Sequence, residues 1–155
     1  AIVEYWKRGE DMLYAMLKGT GEKIGLFQTE KNRLMLPNGM WLHFKELEKN
    51  QDGFSCLRKK EGRVQRVKVY GGFVVENITQ ALSGCCTKEA MVHMRQKGYR
   101  TILQVHDEVV VLADEADAEN ALRVVNSCME TVPAWAVGLP LAAEGSYSRS
   151  YGTAK

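Results

Sequence analysis

Apolar positions recur every three or four residues in three stretches of the chain and alternate in short runs elsewhere. Ile2, Trp6, Gly9, Leu13, Met16 and Leu17 predict a first helix, stopped by Gly19, with Lys7, Arg8, Glu10 and Asp11 on its wet face. From Lys23 to Tyr70 the pattern changes to brief apolar runs broken by turns. Arg33 to Phe44 reads as two strands around Pro37-Asn38-Gly39. Phe54–Arg58 and Val64–Tyr70 read as a second pair, joined across Lys59-Lys60-Glu61-Gly62. One antiparallel sheet with a solvated face is expected here.

Gly71-Gly72 then opens a long helix running to about Lys97 and ended by Gly98. Val75, Ile78, Leu82, Cys85, Cys86, Ala90 and Met94 form its apolar stripe. Glu76, Gln80, Ser83 and Thr87 share another face, polar yet almost uncharged. Thr101 to Leu112 contains two β-rich runs flanking His106-Asp107-Glu108, which predicts a tight hairpin with the trio at its tip, since burying three titratable groups mid-strand is costly. Ala116–Thr131 is a third amphipathic helix, with Ala118, Leu122, Val125 and Met129 inward. Leu139–Glu144 reads as a last strand and Tyr147–Lys155 as an exposed polar tail. The order is helix, sheet, helix, hairpin, helix, strand: an α+β class, read as one domain over residues 1–155.

Composition alters this picture little. The 155 residues are 45% hydrophobic and 26% charged, which excludes disorder, and no apolar run approaches the length of a membrane span. The net charge of +2 neither demands nor excludes nucleic acid. Arg58, Lys59, Lys60, Arg63, Arg66 and Lys68 are the one concentrated charge cluster, readable as a solvated hairpin or as a phosphate contact. Cys56, Cys85, Cys86 and Cys128 form no C-x-x-C pair and, with His43, His93 and His106 scattered, offer no zinc spacing. They read as reduced thiols of a cytosolic protein.

His106-Asp107-Glu108 is the one candidate site. Taken alone, the tripeptide reads as a solvated turn as readily as a centre of chemistry. No serine or cysteine stands in a nucleophile-elbow context, but Asp107 is suited to Mg²⁺, which takes carboxylate oxygen and keeps waters or substrate phosphates. A two-metal phosphoryl-transfer centre needs a further carboxylate from elsewhere.

Leu103-Gln104-Val105-His106-Asp107-Glu108-Val109-Val110 resembles motif C of the family A, polymerase I-like DNA polymerases. Tyr70-Gly71-Gly72 through Glu76-Asn77 to Gln80-Ala81 is similar to the segment that leads into the long palm helix of bacteriophage members. Leu36-Pro37-Asn38-Gly39 matches their L-P-x-G hairpin, and Pro140 to Gly145 with Tyr151-Gly152 and Ala154-Lys155 resembles their carboxyl terminus. These landmarks stand in the family's order along nearly the whole chain. The resemblance implies half of a polymerase palm, with the motif C hairpin packed against long helices.

It also implies roles. Asp107 is then one of two aspartates holding a catalytic pair of Mg²⁺ ions, Glu108 an acid near the metals and primer end, and His106 a contact to the primer-terminal backbone. Gln80 corresponds to a glutamine that touches the minor-groove edge, where base acceptors want neutral donors. Asn77 lies a turn away, three residues from Gln80 rather than the four of bacterial relatives, and Glu76 takes the bacterial-like position. Gln104 is placed beneath the hairpin. The implied partners are template-primer DNA and dNTP in a bacterial or phage-infected cytoplasm.

Motif A, with the other metal-binding aspartate, has no match, and Asp52 to Ser55 lacks the acid that should follow. Motif B fails too, because Tyr70-Gly71 lacks the preceding arginine and lysine. The expectation is therefore a chain inactive alone, completed by another polypeptide or segment bearing motifs A and B. Trp6, Met12 and Leu13 are candidates for that interface, or simply for an internal core. Two other readings stand beside this one: a non-catalytic nucleic-acid-binding palm-like module, and an HD-type metal phosphohydrolase, whose sites gather more histidines on helices.

Overall fold

The computed structural model describes residues 2–153. It is α+β, and its antiparallel sheets and helices form two compact units that divide after Ala81.

The first unit begins with α1 (Ile2–Lys18). Gly19, at φ 71°, ends it, with its N–H on the Ala15 carbonyl at 2.9 Å in a left-handed cap. A four-stranded meander follows: β1 (Lys23–Ile24), β2 (Phe27–Glu30), β3 (Arg33–Met35) and β4 (Trp41–His43). Pro37-Asn38-Gly39 joins β3 to β4 as expected. The Gly39 N–H meets the Leu36 carbonyl at 2.9 Å, and Gly39 itself sits at φ 82°, which makes a turn closed by a left-handed glycine. A second, three-stranded sheet comprises β5 (Glu48–Asn50), β6 (Gly53–Lys60) and β7 (Arg63–Val69). The single sheet expected over Lys23–Tyr70 is thus two, separated by the Phe44–Leu47 connection, whose Phe44 and Leu47 are buried. β6 and β7 also run further than the pattern suggested. Only Glu61 and Gly62 remain as the turn, at φ 52° and 78°, the positive pair that suits a two-residue hairpin.

α1 organises this unit. Leu13 and Met16 are fully buried beside Leu34 of β3, and Tyr14 meets Phe54 of β6 edge to face at a ring separation of 4.8 Å. Met12 and Leu13 therefore belong to the chain's own core, whereas Trp6 is 52% exposed. The helix reaches α2 (Gly71–Gln96) through two glycines. A Cβ on Gly9 would lie 2.3 Å from the Gly71 carbonyl oxygen, and one on Gly71 would lie 1.8 Å from that of Trp6.

α2 contributes its first part to the first unit, where Val74 and Ile78 are buried. Val74, rather than Val75, is the fully covered valine. Its later part belongs to the second unit, and a Schellman motif closes it: Tyr99 N–H to Met94 O at 3.0 Å, Gly98 N–H to Arg95 O at 3.1 Å, Gly98 at φ 94°. The hairpin of β8 (Thr101–Val105) and β9 (Glu108–Val111) follows, then a short 3₁₀ turn at Glu115–Asp117 and α3 (Ala118–Met129). Val109 and Val111 of β9 pack with Val124, Val125 and Met129 around Ala90, Met94 and Cys128. Val125 and Met129 of the stripe that spacing indicated pack inward, while the fully covered positions of α3 are Ala121 and Cys128 rather than Ala118 and Leu122.

The expected strand at Leu139–Glu144 is not one. Pro140 has no N–H to give a ladder, and the segment instead runs past α3, the Ala143 N–H reaching the Glu130 carboxylate at 3.4 Å. Ala154 and Lys155, part of the carboxyl-terminal resemblance, lie outside the described residues. All four cysteines are free thiols, and burial raises the Cys56 and Cys86 thiols above the ordinary value. No helix among the described residues is long and apolar enough to cross a membrane.

Gly71→Ala should destabilise the protein by about 3 kcal/mol, because the added methyl meets backbone that cannot rotate aside. Gly84→Ala, in the middle of α2 with only the Lys88 ammonium within 4 Å, should instead gain roughly 0.5–1 kcal/mol. Urea unfolding of both variants checks the pair.

Candidate metal and nucleic-acid site

The β8–β9 hairpin carries the trio, with one refinement. His106 and Asp107 alone form the turn, while Glu108 is the first residue of β9, paired with Val105. His106 sits at φ 55° in the left-handed region, which costs a residue with a Cβ about 1 kcal/mol or more. Beneath it, the Gln104 amide donates to the His106 carbonyl at 3.0 Å, so Gln104 braces the turn from the adjoining strand. The side chains of His106, Asp107 and Glu108 are exposed, and none makes an ion pair or hydrogen bond among the described residues. Two neighbouring carboxylates without partners are thus held on a short rigid mount. On the face that Glu108 shares with its partner Val105, apolar side chains are also open: Leu103 is 42% and Val105 40% exposed.

The base of this mount is tied down by a polar cluster. The Tyr99 hydroxyl donates to the Asp117 carboxylate at 2.7 Å, and the Asn120 amide bridges both, at 2.9 Å to the hydroxyl and 3.1 Å to the carboxylate. Tyr99 lies two residues before β8 and Asp117 at the start of α3. The cluster thus fastens the entry to the hairpin onto the third helix. Donation to Asp117 pushes the Tyr99 phenol above its usual value, because ionisation would set two negative oxygens side by side. Nothing in the periodicity of the sequence pointed to this cluster; Tyr99 beside a helix-stopping glycine was its one trace.

Glu76, Asn77 and Gln80 stand on the first part of α2, in the other compact unit. Gln80 and Glu76 are exposed and joined, amide to carboxylate, at 3.2 Å. Asn77 is half-buried and donates to the Phe73 carbonyl at 2.7 Å, so one of its two amide hydrogens is spent on its own helix. Thr87, expected on the same polar face, is instead buried, with its hydroxyl turned back to the Ser83 carbonyl.

The described residues contain no group of three or more His, Cys, Asp or Glu side chains that could hold a metal ion. The donor set fits Mg²⁺ in a narrower sense. Asp107 offers hard carboxylate oxygen, free of any cation, and protein cages are not what this ion needs: one or two carboxylates with water and phosphate oxygens suffice. Any Mg²⁺ held at Asp107 would need further ligands from outside the hairpin.

No protein-family model matches the chain. It is similar to a protein named DNA polymerase from Bacillus phage SP02, 37% identical over 92 residues, which is 59% of this chain and 14% of that protein. The chain thus corresponds to a small part of the length of the relative it matches. No solved structure matches.

Two measurements probe the mount. His106→Gly should be about 1 kcal/mol more stable than His106→Ala in urea, since only glycine takes φ 55° without penalty. The Tyr99 contribution is fully present below the unfolded phenol value of about 10 and is lost as pH rises through its higher folded value. Stability should therefore fall above about pH 10, and less steeply in Tyr99→Phe.

Proposed function

We propose that this chain is part of a DNA-directed DNA polymerase of the family A kind, supplying the motif C hairpin of a palm and working together with another polypeptide or segment that bears motifs A and B. The observation that carries the reading is the turn itself. His106 at φ 55°, braced by Gln104, holds two carboxylates, Asp107 and Glu108, side by side in solvent with no partner among the described residues to satisfy them. The similarity to the phage protein supports the same class of chemistry.

In this reading Asp107 holds Mg²⁺, and the position projects its carboxylate clear of any competing cation. The ions, when bound, lower the pKa of a primer 3′-hydroxyl and neutralise charge at the α-phosphate and the departing pyrophosphate. Glu108 adds a second negative charge one residue away, which raises the local attraction for a divalent cation. His106 presents its imidazole at the turn, where it can hydrogen-bond a phosphate or sugar of the primer terminus. Gln80 offers amide hydrogens to minor-groove acceptors, with Glu76 fixing the direction of its amide. Asn77, held by Phe73, positions the first turns of α2 more than it reads a base.

The open apolar face of the hairpin supports incompleteness. A two-stranded sheet is marginal by itself, and Leu103 and Val105 remain exposed on a face against which a further element could pack. A single carboxylate-bearing turn without a second aspartate strand should not polymerise alone.

The test is primer extension in Mg²⁺ by the chain alone and with whatever larger polypeptide co-purifies from its native source. Extension is expected only with both present. Asp107→Ala should lower it by roughly a hundredfold or more, as loss of a metal carboxylate removes several kcal/mol of transition-state stabilisation. Extension unchanged in Asp107→Ala would sink the assignment, and extension by the chain alone would sink the split.

A further inference from the structure

The β6–β7 hairpin is longer than the core beneath it. Its inward face begins as Phe54 and Cys56 opposite Val69 and Val67, of which Phe54, Cys56 and Val69 are buried. Two residues further out, the same face becomes Arg58 and Lys60 opposite Gln65 and Arg63, all exposed. The strand pairing continues unbroken to the Glu61-Gly62 turn, so this cationic end is as regular as the buried base. It is a rigid overhang, not a frayed loop.

Its charges are left without partners. On the other face Arg66 is engaged by the neighbouring segment, pairing with Glu48 at 3.1 Å and with Glu46 at 3.6 Å. Arg58, Lys60 and Arg63 form no ion pair among the described residues, and Lys60 and Arg63 stand directly opposite each other across the strands. Like charges in a direct cross-strand pair oppose the hairpin. Arg58 is partly fixed by the Phe73 ring, 5.0 Å from its guanidinium carbon, and so is oriented before any ligand arrives. An arrangement that weakens the isolated fold is explained by a polyanion that stabilises the bound one.

We propose that the distal β6–β7 hairpin is a clamp for the phosphate backbone of duplex nucleic acid, with Arg58, Lys60 and Arg63 as its contacts. A rigid two-stranded ribbon fits a duplex groove, and residues two apart on a strand repeat on a scale comparable with successive phosphates. Two of the three cations are arginines, whose planar fork matches phosphate oxygens. The tip holds Glu61 and Gly62 and no aromatic anchor, which disfavours an anionic membrane as the occupant. The contacts carry no base information, so binding is independent of sequence. The choice of a duplex rests on the polymerase reading; the clamp itself rests on the hairpin.

The experiment is fluorescence anisotropy of a labelled duplex oligonucleotide titrated with the chain over a range of salt, beside Lys60→Gln/Arg63→Gln. Both positions are exposed, and circular dichroism checks that the hairpin is kept. The double variant should bind roughly tenfold or more weakly, and the slope of log affinity against log salt should fall by about 1.8, or about 0.9 for each phosphate contact removed. Lys7→Gln/Lys97→Gln, which removes the same charge elsewhere, should leave both quantities near the parent values. Equal losses in the two double variants, or no duplex binding by the parent chain, would overturn the proposal. So would binding confined to vesicles of anionic phospholipid. Duplex binding that obeys these expectations while primer extension fails would leave the clamp standing and remove the polymerase reading; the reverse outcome would do the opposite.

Discussion

Two elements of the first unit meet backbone to backbone, at Gly9 of α1 and Gly71 at the head of α2. Any side chain at either position would fall well inside van der Waals contact distance of a carbonyl oxygen, so the absence of side chains sets how near the two helices can come. Much of that unit follows from this approach. It fixes α1 so that Leu13 and Met16 bury themselves beside Leu34 of β3 and Tyr14 reaches Phe54 of β6. It also fixes where α2 begins, and with it the helical phase that buries Val74 and Ile78 and leaves Glu76 and Gln80 in solvent.

Elsewhere the chain stores its irregularity in turns. Asn32, Glu46, Glu61 and His106 are the residues with side chains among those described at positive φ. Asn32 is of a type that tolerates the left-handed region well, and Glu61 shares a two-residue hairpin with a glycine. His106 differs in what surrounds it. It is flanked by a carboxylate on a strand-end turn, and an amide from within the same hairpin holds its carbonyl. The strain is supported from Gln104 on one side and, through Tyr99, Asp117 and Asn120, at the foot of the strand. Such support keeps a left-handed backbone in one geometry.

Charge is arranged by the same logic of faces. The net value is small, yet the strand alternation of β6 and β7 sorts the cations. On one side Arg66 is paired with Glu46 and Glu48, and on the other Arg58, Lys60 and Arg63 stand without an ion pair among the described residues, beyond the edge of the core.

The sequence by itself determined what local chemistry controls. Three- and four-residue spacing located α1, α2 and α3, Gly19 and Gly98 ended two of them, and Pro37-Asn38-Gly39 fixed one hairpin through its turn geometry. It also put His106-Asp107-Glu108 at the end of two β-rich runs, because three polar groups can be accommodated only where the backbone turns into solvent. The tertiary structure decided the rest. β1, β2 and β5 are two to four residues long and exist only through their neighbours' hydrogen bonds, so no periodicity could announce them. The split into two sheets depends on burial of Phe44 and Leu47, and the failed strand at Leu139–Glu144 on there being no ladder for it to join. The phase of α3 and the burial of Thr87 follow from which neighbour each helix meets. At the site, the Gln104 brace, the Tyr99 cluster and the commitment of Asn77 to Phe73 are pairings that spacing along a chain does not encode, since hydrogen bonds are chosen by proximity in space.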